Sequence, residues 1–261
     1  MERPVVVTGA SRGIGRALAL ALAGRRRDLL LCARSAGELE GVAAEARRSG
    51  VEARAVACDL ATVEGREALV RAFPDALGGL VNNAGFGTAG EFASQDRARE
   101  REMVRLNVEA VVDLTHAALP RLGRGSFLMN VASTAGFQPV PLFATYAATK
   151  AFVLSFSEAL AEELLPRGIH AMALCPGVTV TDFQRIAQVQ LAGPTATAEE
   201  VARFALRALD ARRRVAIHGT RNALLIQSQR LAPRRMVAKI ARRVMEPWLR
   251  GRPAPPQRSV P

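Results

Sequence analysis

Lysine is almost missing from this chain of 261 residues: two stand against thirty-four arginines. Tyrosine and tryptophan occur once each, as Tyr146 and Trp248. Cysteine is scarce, odd in number and widely spaced, at Cys32, Cys58 and Cys175. That excludes a disulfide framework and suits reduced, buried thiols in a cytoplasmic protein. His116, His170 and His218 have no metal-ligand spacing, so no metal site is expected. No apolar run reaches the roughly 18–20 residues that span a bilayer. Met1-Glu2-Arg3 leads directly into a strand-like run without signal-peptide architecture, and the expected location is the cytoplasm.

What is present is a large apolar fraction, 49%, ample for a core. Val5-Val6-Val7 is a β-branched run ending in a glycine turn, followed by an Ala/Leu-rich helix over about 13–24. Strand-like runs recur at Leu29–Cys32, Ala53–Cys58, Leu80-Val81, Ser126–Val131, Ile169–Leu174 and Val215–Ile217. Helical stretches lie between them, over about 36–49, 62–73, 95–120, 145–165 and 197–209. Thr197 is the expected N-cap of the last, with Glu199-Glu200 in its first turn. Apolar strands alternating with amphipathic helices indicate a parallel sheet covered on both faces. The expected fold is therefore α/β: a doubly wound, Rossmann-type sheet of seven parallel strands over residues 1–219. A basic helical extension (220–250) and a Pro/Arg-rich tail read as disordered (251–261) complete the chain.

Thr8-Gly9-Ala10-Ser11-Arg12-Gly13-Ile14-Gly15 lies between the first strand and first helix. Glycines there let the backbone approach a pyrophosphate, and the helix N-terminus favours its charge. The spacing is G-x-x-x-G-x-G rather than the commoner dinucleotide fingerprint. The acid that would hold a ribose 2′-hydroxyl some 20 residues on is missing; Cys32-Ala33-Arg34-Ser35 stands there, with no acid before Glu38. Arg34 and Arg12 are instead placed to meet a 2′-phosphate, which favours NADP(H) over NAD(H).

Lys150 follows Tyr146 by four residues, so on a helix the ammonium shares a face with the phenol. A phenol near pKa 10 is a poor proton donor or acceptor at neutral pH. A nearby cation favours the phenolate and lowers that value. The spacing therefore describes a proton-transfer pair, though ordinary helix faces also carry it.

TGASRGIG at 8–15, NNAG at 82–85, Asn107, Ser133, and Tyr146 with Lys150 together resemble the compact short-chain dehydrogenases/reductases, in order and spacing. The resemblance covers about residues 4–218. It implies that Tyr146 exchanges a proton with a carbonyl or alcohol oxygen while Lys150 lowers its pKa and bonds the nicotinamide ribose. Ser133 would hold the substrate oxygen, and Asn107 a water linking Lys150 to solvent. Gly9, Ser11, Arg12, Gly13, Ile14 and Gly15 would hold the cofactor phosphates, with Arg34. Asp59 and Leu60 would contact its adenine end. Asn83, Ala84 and Gly85 would line it, and Pro176, Gly177 and Thr181 would close over it. A homodimer or homotetramer through the long helices is implied as well.

The segment after Ser133 is apolar, and Phe86, Phe137, Val140, Phe143, Phe183 and Ile186 are expected at the substrate mouth or packing its loops. A lipophilic ketone or alcohol, fatty-acyl or steroid-like, suits such a wall. Residues 219–261 hold nine Arg and one Lys against Glu246 alone, a net +9 of the chain's +12. Val237, Ile240, Val244 and Trp248 are expected on one face of a tail helix. That face either lies in a membrane interface or closes the pocket or a subunit contact. With one aromatic and no recognised module, the tail is not expected to bind nucleic acid. A non-catalytic, NADP(H)-binding redox sensor is the alternative, and degraded active-site residues would mark it.

Overall fold

β1 (Val5–Thr8) is buried on both faces, so helices must cover it from both sides. In the computed structural model, which describes residues 3–190, 195–229 and 232–249, they do. The elements that follow are α1 (Gly13–Ala23), β2 (Leu29–Ala33), α2 (Ala36–Arg47), β3 (Ala53–Ala57), α3 (Val63–Arg71) and β4 (Leu77–Asn82). Next come α4 (Arg97–Val104), α5 (Ala110–Ala118), β5 (Leu122–Val131), α6 (Ala144–Glu163) and β6 (His170–Cys175). The chain then passes through β7 (Thr179–Val180), α7 (Phe183–Ala187), β8 (Ala196–Thr197), α8 (Ala198–Asp210) and β9 (Val215–Ile217). It ends in α9 (Thr220–Gln229) and α10 (Arg234–Met245), with a final 3-10 turn at Glu246–Leu249.

Seven strands form one parallel sheet in the order β3-β2-β1-β4-β5-β6-β9. The strand period of two splits the core. Val5 and Val7 join Leu31, Met129 and Leu174 against α1, α2 and α8. Val6 joins Leu30, Leu80 and Leu128 against α3, α5 and α6. Strand order reverses between β1 and β4, which opens a crevice at their carboxyl ends. β7 and β8 form a separate two-stranded sheet that was not foreseen.

Local signals account for the helix starts. Thr197 caps α8 reciprocally: its hydroxyl accepts from Glu200 N (3.1 Å), and the Glu200 carboxylate accepts from Thr197 N (2.8 Å). Thr62 caps α3 and Asp96 caps α4. The long helical region expected over 95–120 is α4 and α5 joined by one π-helical turn, Arg105–Glu109, that carries Asn107.

Two strands begin earlier than expected, β4 at Leu77 and β5 at Leu122. The two glycines of β4 look like breakers but answer to close contact. A Cβ on Gly78 would run into the Arg3 carbonyl, and one on Gly79 would lie 2.6 Å from the Phe127 ring. The tail also differs from expectation. Trp248 and Met245 pack inward on Val140, Phe143 and Phe183, and Val244 borders the cavity with them, whereas Ile240 is 52% exposed and does not. The single apolar face expected is thus split, with Ile240 apart from Val244 and Trp248. The 251–261 segment lies outside the described residues.

Candidate active site

The crevice at the strand ends is a cavity of about 1010 Å³ that runs from the glycine turn to the tail. Its floor is a junction of β1 and β4. The Thr8 hydroxyl donates to Val81 O (3.2 Å) and accepts from Asn83 N (2.9 Å) and Ala84 N (3.0 Å). One donor and two lone pairs are thereby all used. Asn83 Nδ2 returns bonds to Thr8 O (2.9 Å) and Gly9 O (3.2 Å). Gly9 and Gly13 take φ of +64° and +55°, which a side chain would strain. A Cβ on Gly9 would meet Asn83 Nδ2 at 2.8 Å, so the turn must stay bare to lie this close to β4.

Gly9, Ser11, Arg12, Gly13 and Ile14 line the cavity. Gly15 does not: a Cβ there would run into the Gly9 carbonyl, so it lets α1 pack under the turn. The N-terminus of α1 has no side-chain cap and no acid in its first turn. Bare N–H groups beside the cavity suit a pyrophosphate, and the donor set fits a dinucleotide. Asp59 and Leu60 line the same end, with Asn83, Ala84, Gly85, Pro176, Gly177 and Thr181 along the channel. Arg34 is there too, bonded to Glu102 (3.3 Å). Arg12 is held by Glu38 (2.6 Å) and Asp182 (3.0 Å), so it spans the glycine turn and the loop after β7.

Ser133, Tyr146 and Lys150 converge at the middle of the cavity. Ser133 ends the chain's run out of β5, and its hydroxyl accepts from Ala135 N (3.1 Å). Tyr146 and Lys150 lie in the first two turns of α6, with the ammonium 5.9 Å from the phenol ring centroid. Lys150 is nearly fully buried, and its Nζ donates to Val131 O (2.7 Å). Burial brings its pKa down to about 8, opposed by Cys175. Burial pushes the Tyr146 phenol up to about 12, and a hydrogen bond with Ser133 pulls the other way. In this geometry desolvation dominates, and the Tyr146 phenol stays protonated across the neutral range.

Asn107 stands behind the wall. Its Nδ2 donates to Phe86 O (2.9 Å) and Thr149 Oγ1 (3.1 Å), and its Oδ1 accepts from Phe86 N (3.1 Å). These bonds brace the strand-end loop beneath Lys150. Phe86, Val140, Phe143, Phe183 and Ile186 do line the cavity. Phe137 does not; it packs on Val111, Ala132 and Val153, because the short helical turn after Ser133 aims it back at α6. Gly87 keeps the substrate end open to rings: a Cβ there would lie 2.6 Å from Phe183 and 3.0 Å from Tyr146. Those two rings pack at 5.2 Å.

Sequence reasoning missed several lining residues. Arg99 lies 3.8 Å over the Phe86 ring, so the wall is not without a cation. Gln138, His218, Asn222, Met245 and Trp248 also line it. Only Trp248 carried a signal, as the sole indole on an amphipathic tail.

Residues 3–191 match the family profile described as short chain dehydrogenase. The chain is a short-chain dehydrogenase/reductase. It is 36% identical over 214 residues to the sulfoacetaldehyde reductase of Chromohalobacter salexigens, covering 76% of this chain and 84% of that one. To the 3-oxoacyl-[acyl-carrier-protein] reductase FabG of Staphylococcus aureus it is 30% identical over 210 residues, 78% and 85% of the two chains. Among solved structures it superposes on a short-chain dehydrogenase from Sphingobium yanoikuyae in complex with NADPH. That match has a TM-score of 0.80 and 32% identity and covers 88% and 94% of the two chains. This short-chain dehydrogenase is thus an oxidoreductase of carbonyl and alcohol groups whose fold binds a nicotinamide dinucleotide.

The buried ammonium of this dehydrogenase has a consequence for stability. Below pH 8 both folded and unfolded chains carry the Lys150 charge, and the fold bears the cost of burying it. Between about 8 and the unfolded value of 10.5 the folded protein sheds the proton first, the unfolded state binds more protons, and stability rises with pH. Lys150→Met should therefore be more stable than the parent at pH 7, by up to about 3 kcal/mol, with the gap narrowing as pH climbs through 8 to 10.5. Urea melts at several pH values measure it. A less stable variant at pH 7 would mean that the bond to Val131 outweighs the burial cost.

Proposed function

We propose that this enzyme reduces a bulky apolar ketone with NADPH, Tyr146 delivering the proton. The observation that carries this reading is the apolar end of the cavity: Val140, Phe143, Phe183, Met245 and Trp248 pack into one cluster around Tyr146. The nicotinamide dinucleotide, when bound, supplies the hydride. The chain's residues do the rest. Ser133 and Tyr146 converge on the substrate oxygen, where charge builds as the carbonyl is reduced. A phenol held protonated suits reduction: it gives its proton to that oxygen as the bond forms. Lys150 holds a positive charge beside the resulting phenolate, tethered by Val131 so that it stays in place. Apolar walls exclude water from the exchange. Asn107, bonded to the backbone of Phe86, positions this machinery without lining the cavity. A non-catalytic sensor is not favoured, because Ser133, Tyr146 and Lys150 are all intact and convergent.

Arg12 and Arg34 border the cavity beside Ser11 and Ser35, and the acid nearest to them in sequence, Glu38, is tied to Arg12. A 2′-phosphate would take over guanidiniums now held by carboxylates. This supports NADP(H) over NAD(H).

The outer face of the tail supports peripheral contact with an anionic lipid surface. Leu224, Met236 and Ile240 are exposed there, as are Arg234, Arg235, Lys239 and Arg243. Apolar side chains flanked by cations suit the headgroup boundary. Among the described residues no helix is long and apolar enough to cross a membrane. Phe152, stacked on Phe156 of α6, and Val112 of α5 stay partly exposed, which supports a homo-oligomer through the long helices.

Three outcomes check these readings. Tyr146→Phe should lower kcat by about 10²–10⁴-fold while NADPH affinity, followed by fluorescence titration, is kept; near-normal turnover would remove the donor role. Arg12→Ala with Arg34→Ala should weaken NADPH binding by about tenfold to a hundredfold and leave NADH almost unchanged. Tighter binding of NADH by the parent would reject the preference. The full chain should float with vesicles containing phosphatidylserine but not with purely neutral ones, and less so at high salt. Leu224→Glu with Ile240→Glu should abolish flotation. Equal flotation of both proteins, or a smaller particle for the variant on a sizing column, would reassign that face to something other than lipid.

A further inference from the structure

Cys32 and Cys58 bring two thiols together at the adenine end of the cavity. Cys32 lies one residue before the end of β2 and is fully buried; Cys58 follows β3 and lines the cavity directly before Asp59. Their Sγ atoms are 3.2 Å apart, closer than two unbonded sulfurs normally sit. The backbone holds them there. β2 and β3 pair in parallel register through Cys32↔Val56 and Ala33↔Ala57, and Cys58 N donates to Ala33 O (3.0 Å). The third cysteine, Cys175, is fully buried in β6, in a different cluster from the pair.

We propose that Cys32 and Cys58 form an oxidisable dithiol site that a peroxide closes to a disulfide, weakening the hold on the dinucleotide. The site has the parts such chemistry needs. Cys58 is the half-buried member, reachable through the cavity, and the hydrogen bond from Cys32 pulls its pKa down, favouring the thiolate. Cys32 is pushed up by that same bond and by burial, so it is the resting thiol. Cys58 thiolate attacks one peroxide oxygen; the O–O bond breaks and hydroxide leaves, giving the sulfenic acid. Cys32 then attacks that sulfur, its S–H proton goes to the departing hydroxyl, and water leaves as the S–S bond forms. Two thiols lose two electrons and two protons, and one peroxide becomes two waters. A dithiol reductant reverses the change by exchange.

Closing the bond requires the sulfurs to approach by about 1 Å, to the roughly 2.05 Å of a disulfide. That draws Cys58 toward β2, and Asp59 and Leu60, which line the cavity next to it, must follow. Asp59 Oδ1 also accepts from Ala61 N (3.0 Å), so the shift propagates into the turn before α3. The effect on the cofactor rests on the adenosine end lying beside Asp59; the thiol chemistry does not.

The test is peptide mass spectrometry of the full chain after hydrogen peroxide, with free thiols alkylated under denaturing conditions. The expected product is a cross-linked peptide pair joining Cys32 to Cys58, with Cys175 alkylated. Cys175→Ser should leave that product intact. Cys32→Ser should stop at a Cys58 sulfenic acid that dimedone traps, and Cys58→Ser should give neither. The oxidised protein should bind NADPH at least about tenfold more weakly, recovering with dithiothreitol. Absence of the cross-link in the parent, or oxidation of Cys175 before the pair, overturns the site. A cross-link with unchanged NADPH affinity overturns its control of the cofactor. Failure of the reduced protein to bind NADPH would count against the cofactor reading instead, because the cross-link is read independently.

Discussion

The Thr8 hydroxyl is the contact on which the site depends. It joins the two strands at which the sheet reverses direction, donating to Val81 O and accepting from Asn83 N and Ala84 N. Parallel strands diverge at their carboxyl ends once the crossovers turn in opposite directions, and something must hold β1 and β4 together there. Thr8 does so with its full hydrogen-bonding capacity, and Asn83 returns two bonds through its side chain. The glycines follow from this closeness. Gly9 must be bare to reach β4, and Gly15 must be bare to fit beneath Gly9. The bare glycine turn is thus a by-product of how tightly two strands are tied.

The second constraint is electrostatic. Lys150 is buried with its ammonium on a backbone carbonyl, and burial brings its pKa down to about 8. An arginine is not equivalent, since its planar fork presents several donors where one compact ammonium meets the Val131 carbonyl. The phenol beside it stays protonated by burial. The scarcity of lysine in an arginine-rich chain has its physical explanation here.

The tail shows how one short helix meets two demands. α10 turns Val244, Met245 and, just beyond its end, Trp248 toward the cavity, while Ile240 is exposed among cations. Gln190 N donates to Trp248 O (3.1 Å), which ties the loop after α7 to this cap. Arg242 reaches Glu246 in the turn after its helix and Glu91 in a distant loop. One end of the cavity is therefore bordered by a segment remote in sequence from α6.

The alternation of apolar strands and helices, the Thr197 cap, and the spacing of Ser133, Tyr146 and Lys150 were legible from residues alone. Each depends on short-range periodicity or local hydrogen bonding, which a sequence displays directly. The start of β4 was not, because Gly78 and Gly79 serve long-range contacts with Arg3 and Phe127 that have no local mark. Phe137 looked like a wall residue by neighbourhood, yet a single helical turn points it into the core. The phenol's pKa went against the spacing argument, since burial outweighs a cation 5.9 Å from the ring centroid. Sequence by itself determined the sheet, the glycine turn and the chemical triad, because these are built from residues close in the chain or patterned by it. Tertiary structure alone decided which rings border the cavity, which carboxylates hold Arg12 and Arg34, and that two cysteines 26 residues apart meet at 3.2 Å. Those outcomes are set by strand register and helix packing, where small rotations separate contact from none.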